Sequence, residues 1–248
     1  MTIDTDDDIL GLTTIGRIVG QTLKAMIEHA KVGMTTLKLD DFGRRFLEKY
    51  GAMSSPMLTY QFPGTTCISI NEEAAHGIPS DRVMQAGDMV NIDVSAELDG
   101  YVADTGGSFV LPPASADKLR LCHATKLALN TAISKVKADQ PLNVIGKAIQ
   151  KVAKQKGYKI IRNLCSHGVG RHLHEEPKMI PSYYDPRDKR RLVEGMVITI
   201  EPFLSTKASQ VVEADDGWTL KGPKGNMSAQ YEHTMIITKN SPIILTSV

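Results

Sequence analysis

The segment MVNIDVSAELDGYVADTGGSFV, residues 89–110, constrains the fold more than any other, because strand-type residues stand on both sides of Asp99-Gly100. An Asp-Gly pair in that setting is the strongest short-range signal for a two-residue hairpin, since both turn residues need positive φ. With Asp99 and Gly100 as the turn, opposed residues have numbers summing to 199, so Asp93 faces Gly106 and Ser95 faces Asp104. Side chains alternate faces along a strand, which puts Asp93 and Asp104 on one face, diagonally apart by about 7–8 Å at most. Gly106-Gly107 predicts a bulge, but one beyond Asp104 that leaves this parity intact. Val90, Ile92 and Val94 occupy the opposite face. If the Asp93 face is covered as well, its charge needs a compensating partner. Two solvated aspartates on an open sheet face is the alternative that the hairpin alone leaves open.

Around this hairpin the chain reads as two similar runs of helix, helix and strands. Thr5 with Asp8 forms a capping box, followed by apolar residues at Ile9, Leu12, Ile15, Val19, Leu23, Met26 and Ala30, an amphipathic helix. A second helix spans about 36–50, burying Leu39, Phe42, Phe46 and Tyr50, with Gly51 as its left-handed terminator. After Pro112-Pro113 a long helix spans about 115–136 and a shorter one about 142–156, ended by Gly157. The expected class is α/β (α+β): one domain over 1–248, with halves of about 1–111 and 112–248 around a central antiparallel sheet. Residues 205–226 form the one long polar stretch and are expected to be a loop.

Three further groups stand in strand contexts: His167 in SHGVG, Glu201 in MVITIEPF and Glu232 in SAQYEHTMIIT. The run Met196 to Ile200 is nearly all apolar, as in a strand buried on both faces, so Glu201 at its end is not simply solvated. Glu232 precedes a similar run, and an unpaired buried carboxylate there costs several kcal/mol or takes up a proton. A cation resolves both problems, although either glutamate alone also reads as a satisfied structural carboxylate. Together Asp93, Asp104, His167, Glu201 and Glu232 could neutralise two divalent cations. One chelating, two bridging and one terminal carboxylate with one imidazole give eight bonds, and a bridging hydroxide would complete two five-coordinate ions. The oxygen-rich set suits Mn(II), Fe(II) or Co(II) and admits Zn(II).

These residues and their surroundings resemble the type I methionine aminopeptidases, in their short bacterial form. The likeness runs through CISINEEAAHGIPS from Cys67, NIDVSAELDGYVADTG from Asn91, SHGVGRHLHEEP from Ser166, ITIEPF from Ile198 and DGWTLKGPKGNMSAQYEHT from Asp216. It implies the two-fold "pita-bread" fold, with Asp93, Asp104, His167, Glu201 and Glu232 as metal ligands, Asp104 and Glu232 bridging. It implies His76 and His174 as catalytic groups beside the scissile amide, and a methionine pocket that includes Phe62, Cys67, His76, His174 and Trp218. By themselves His76 and His174 read as hydrogen-bonded surface histidines, and Trp218 as a plug under the 205–226 segment. Leu173 and Thr59 depart from the aromatic residues common in bacterial members, which bears on the pocket outline and not on the metal site. The activity implied is removal of the initiator methionine from nascent proteins and peptides with a small second residue, by a hydroxide held between two metals, with Glu201 carrying a proton.

Two readings compete. An Xaa-Pro peptidase of this fold would carry a long N-terminal domain, for which a first helix beginning near Thr5 leaves no room. A metal-free binding module would have lost a ligand, whereas all five positions are filled. Lys plus Arg number 29 against 28 for Asp plus Glu, so no overall field gathers DNA or an anionic membrane. The acidic N-terminus and the lack of a long apolar run predict a cytoplasmic chain, with a monomer as the default. Cys67, Cys122 and Cys165, with no C-x-x-C pair, read as reduced, mainly buried thiols. The expected partners are a peptide or nascent-chain N-terminus and, through Lys207, Lys221 and Lys224, the ribosome.

Overall fold

Thr5 opens the first helix, α1 (Asp6–His29), by a reciprocal cap. Its hydroxyl accepts from the Asp8 amide at 3.2 Å while the Asp8 carboxylate accepts from the Thr5 amide at 3.0 Å. The structure is a computed structural model that describes residues 1–248. Leu12, Ile15, Ile18, Val19 and Met26 form the buried stripe of α1. Ile9, expected on that stripe, is 40% exposed, because the buried face begins at Leu12, which packs with Val102 of the hairpin.

Helix α2 (Thr36–Glu48) buries Leu39 and Leu47. Its aromatics differ from expectation. Phe42 and Phe46 are half-buried and Tyr50, beyond the helix end, is exposed, so the three form a ladder of which only Phe42 packs against the core. A short helix, α3 (Ser55–Tyr60), precedes the first long strand. Helices α4 (Ala116–Ile133) and α5 (Val144–Lys156) follow in the second half. The α-helical part of α4 stops short of Val136 because Lys135 and Val136 bond back only three residues, to Ala132 and Ile133, a tightened last turn.

All strand pairings are antiparallel. Strands Met89–Leu98 and Tyr101–Val110 form the long hairpin, and Asp99 and Gly100 have φ of 52° and 78°, the turn their identities demand. The observed register pairs Asp93 with Gly106 and Ser95 with Asp104. The expected bulge is absent, since the ladder runs unbroken to Met89 opposite Val110. Residue 106 is instead glycine because a Cβ there would collide with the side-chain amide of Gln230. The other edge of Met89–Leu98 pairs with Cys67–Ile70 and Met53–Ser54.

The second half contributes a five-stranded sheet in the order Ile243–Ile244, His233–Ile236, Val197–Ile200, Cys165–Gly168, Glu175–Pro181. A three-stranded sheet lies beside it, built from Ser228–Gln230, Phe203–Ser205 and Lys159–Ile160. Helices α1 and α2 close one apolar core with the hairpin, and α4 and α5 close another with the second-half strands. The result is a mixed arrangement of helices and antiparallel sheets, as expected. Residues 205–226 are not a free loop. They fold back as strands Val212–Glu213 and Leu220–Lys221, the latter paired with Glu73–Ala75 of the first half, and the buried Asn226 side chain accepts from the amides of Lys207 and Ala208.

Candidate metal centre and adjoining cavity

The two halves meet where the hairpin faces the strand pair around Glu232. The Glu232 amide donates to the carbonyl of Gly106 at 2.9 Å, and Thr105 Oγ1 donates to the carbonyl of Glu232 at 2.8 Å. These bonds bring Glu232 alongside Asp104, far apart in sequence. On the other flank the Glu201 amide donates to Ser166 Oγ at 2.8 Å, and the His167 amide donates to Thr199 Oγ1 at 3.2 Å, which sets Glu201 beside His167. His167 Nε2 is 3.4 Å from Glu201 Oε1 and 3.8 Å from Asp104 Oδ2. Donor atoms of Asp104, His167 and Glu232 all lie within 4.8 Å of one another.

Asp104, His167, Glu201 and Glu232 are buried, and two of their oxygens, Asp104 Oδ1 and Glu232 Oε1, have no hydrogen-bond partner. Burial pushes every carboxyl in the cluster up. Asp93 reaches about 6, and Asp104, Glu201 and Glu232 rise well above the carboxylate range, each further raised by its neighbours' negative charge. Burial, reinforced by His174, pushes His167 down to about 3. A group of clustered acids and a neutral imidazole, with buried lone pairs unanswered, is unfavourable without a cation and well matched to one. The set therefore fits divalent metal: oxygen donors predominate and one imidazole faces inward. Gln230 completes the surround. Its Nε2 donates to Glu232 Oε2 at 3.0 Å and to Asp93 Oδ2 at 3.4 Å, while Asn91 Nδ2 donates to its Oε1 at 2.8 Å and so fixes the amide's orientation.

Beside the cluster opens a cavity of about 380 Å³. Asp93, Asp104, His167 and Glu201 line one part of it, and Phe62, Cys67, Leu173 and Trp218 form an apolar wall. Glu232 lies behind that lining, 2% exposed. Phe62 and Trp218 meet edge to face with centroids 5.2 Å apart. Trp218 reaches the cavity because Asp216 ties the hairpin tip, accepting from the Trp218 and Thr219 amides at 2.9 and 2.8 Å. Cys67 stands directly opposite Asp93 in the sheet, and burial holds its thiol well above its ordinary pKa. His76 and His174 both line the cavity, and burial lowers the pKa of each. His76 adopts φ 54°, a strained backbone that turns the chain at the cavity wall.

All the residues singled out in the sequence as ligands, catalytic groups or pocket wall thus gather at one place. Lys207 and Lys224 are exposed on either side of the outer hairpin formed by Val212–Glu213 and Leu220–Lys221, and Lys221 lies 3.9 Å from Glu73. Thr59 is exposed and does not line the cavity, whereas Leu173 does. Three contributors went unread in the sequence: Thr199, Gln230 and Tyr60. Gln230 had a signal, since it stands two residues before Glu232 in a strand-like run and so shares its face. Tyr60 had none, because its place depends on how α3 packs.

The model of metallopeptidase family M24 matches residues 11–239. Methionine aminopeptidase 2 of Bacillus subtilis (strain 168) is 47% identical over 249 aligned residues, covering 100% of both chains. The crystal structure of methionine aminopeptidase from Rickettsia prowazekii superposes with a TM-score of 0.94 at 34% identity, covering 99% of this chain and 100% of that one. The Thermotoga maritima methionine aminopeptidase structure gives 0.95 at 31% identity, covering 100% of both.

Proposed function

The chain belongs to the methionine aminopeptidases of metallopeptidase family M24, and from that premise we propose how its own residues remove an N-terminal methionine. The observation that carries the reading is the pair of unanswered buried oxygens on Asp104 and Glu232, set behind a cavity with an acidic end and an apolar wall. Asp93, Asp104, His167, Glu201 and Glu232 would hold two divalent cations, drawn from Mn(II), Fe(II), Co(II) or Zn(II). Such cations supply Lewis acidity to a scissile carbonyl and an acidified water as nucleophile.

The remaining work falls to the side chains. A methionyl side chain seats against Phe62, Cys67 and Trp218, where apolar and sulfur–aromatic contact favour it. Its free amino group then lies toward the carboxylates, which restricts cleavage to the first residue. Glu201 takes the proton of the attacking water and passes it to the departing amine. His174, neutral at neutral pH, donates a hydrogen bond to the carbonyl oxygen as charge builds there, and His76 steadies the amide nitrogen. A small second residue is the preference that membership of the methionine aminopeptidases implies.

The natural substrate on this reading is a nascent chain in the cytoplasm. No helix is long and apolar enough to cross a membrane. Lys207, Lys221 and Lys224, on and beside the outer hairpin, are the residues we assign to contact with ribosomal phosphate. Exchange of all three for glutamate should weaken ribosome binding and flatten its salt dependence while leaving a free methionyl tripeptide substrate unaffected.

The decisive experiment titrates the metal-stripped chain with Mn(II), Co(II), Fe(II) and Zn(II) while following methionine release from a Met-Ala-Ser peptide and proline-adjacent cleavage of an Xaa-Pro peptide. Two bound ions with methionine release alone is the expected result. Xaa-Pro cleavage without methionine release would overturn it.

A further inference from the structure

Tyr60 ends α3 at the mouth of the cavity, and its hydroxyl lies 2.7 Å from His174 Nδ1, the one hydrogen bond it makes in the chain. The two rings stand 5.6 Å apart at 50°. The turn that delivers Tyr60 is anchored. Ser54 Oγ accepts from the Met57 amide at 3.4 Å and donates to the Thr65 carbonyl at 2.7 Å, and Gln61, at φ 59°, closes the helix.

The direction of the Tyr60–His174 bond follows from donor chemistry. A phenol is a better donor than acceptor, and a neutral imidazole has one accepting and one donating nitrogen. Burial raises the pKa of Tyr60, so its proton stays on at neutral pH. If Nδ1 accepts, the ring hydrogen must sit on Nε2, the only other polar atom of the side chain.

We propose that Tyr60 is a positioning residue that donates to His174 Nδ1 and thereby holds His174 as the Nε2–H tautomer, presenting that N–H to a peptide carbonyl in the cavity. Tyr60 itself touches no reacting atom. Its effect on turnover rests on the peptidase reading above, whereas its effect on the tautomer does not.

The test compares the wild type with Tyr60→Phe, both loaded with the diamagnetic ion Zn(II), by 15N NMR of the histidine rings at neutral pH. The expected result is a pure Nε2–H form of His174 in the wild type and a mixture in Tyr60→Phe. In steady-state assays kcat should fall about tenfold, the worth of one well-placed hydrogen bond, with KM changed less than about twofold. In a His174→Ala background the same substitution should have no further effect. An unchanged His174 tautomer in Tyr60→Phe, or an equal loss of kcat in the His174→Ala background, would overturn the proposal. A wild type that releases no methionine would instead sink the peptidase reading and leave the tautomer comparison to decide the role of Tyr60.

Discussion

Asp104 and Thr234 hold each other twice across the junction of the two halves. The Asp104 amide donates to Thr234 Oγ1 at 2.9 Å, and the same hydroxyl donates to the Asp104 carbonyl at 2.7 Å. Both residues are buried, so neither backbone group has water to turn to. This reciprocal pair fixes the strand that carries Asp104 against the strand that follows Glu232.

Thr234→Val keeps the shape and removes both bonds. It should cost about 2–4 kcal/mol of stability, because a buried N–H and C=O lose their partner together. Metal affinity should fall as well, since Asp104 loses its fixed distance from Glu232. Urea unfolding and calorimetric titration with Mn(II) measure the two effects, and a variant matching the wild type in both would show that the clasp holds nothing in place.

Removing the metal should make stability fall as pH rises. The folded-state pKa of Asp93 is raised to about 6 from an ordinary 3.8, and Asp104, Glu201 and Glu232 are raised in the same sense. A raised carboxyl contributes its stability in full below about pH 4 and loses it as pH climbs through the folded value. Asp93 alone accounts for on the order of 2–3 kcal/mol. Metal-free protein should therefore melt at a progressively lower temperature from pH 4 to pH 7, and divalent metal should reverse the loss. Asp104→Asn removes the carboxyl whose ionisation the buried cluster resists: the metal-free variant should lose less stability between pH 4 and pH 7 than the metal-free wild type, yet fail to bind two metal ions and show no activity. A melting temperature flat across that range would mean the acids are not confined together as the structure has them.

Glu201→Gln separates proton transfer from ligation. The substitution keeps the hydrogen bond that the residue 201 backbone N–H donates to Ser166 Oγ and one oxygen donor beside His167. Turnover should drop by at least about a hundredfold, the scale of lost acid–base catalysis, while KM changes little. Metal content, measured on the same sample, distinguishes loss of the ion from loss of the proton carrier. Full turnover with full metal would remove Glu201 from both roles.

Trp218→Ala takes away the edge-to-face partner of Phe62 and opens the apolar wall. The KM for methionyl peptides should rise by the equivalent of about 1–3 kcal/mol, with kcat far less affected. Binding of metal should be unchanged, because no cluster ligand bonds to Trp218. An unaltered KM would place the methionine side chain elsewhere in the cavity.

The amino-acid sequence by itself determined what local rules can carry. Asp99-Gly100 admits one turn type, that turn fixes the register, and the register puts Asp93 and Asp104 on one face. Thr5 with Asp8 marks the start of α1, and the apolar run before Glu201 marks a strand buried on both faces. Glu201 and Glu232 stood out for a related reason, since a carboxylate next to a buried run is costly enough to demand an explanation, whereas His167 stood out as a ligand only through the family resemblance. Only the tertiary structure decided the rest. Gly106-Gly107 looked like a bulge because glycine weakens a ladder, but residue 106 is small to admit Gln230 from a strand 124 positions later. The 205–226 stretch looked like a loop because it is polar, yet it pairs with Glu73–Ala75 and so delivers Trp218 to the cavity. Tyr60 reaches His174 across 114 residues of sequence, at 2.7 Å. Contacts of this kind depend on which surfaces meet when the two cores close, and a periodicity read along one segment holds no record of the surface it will face.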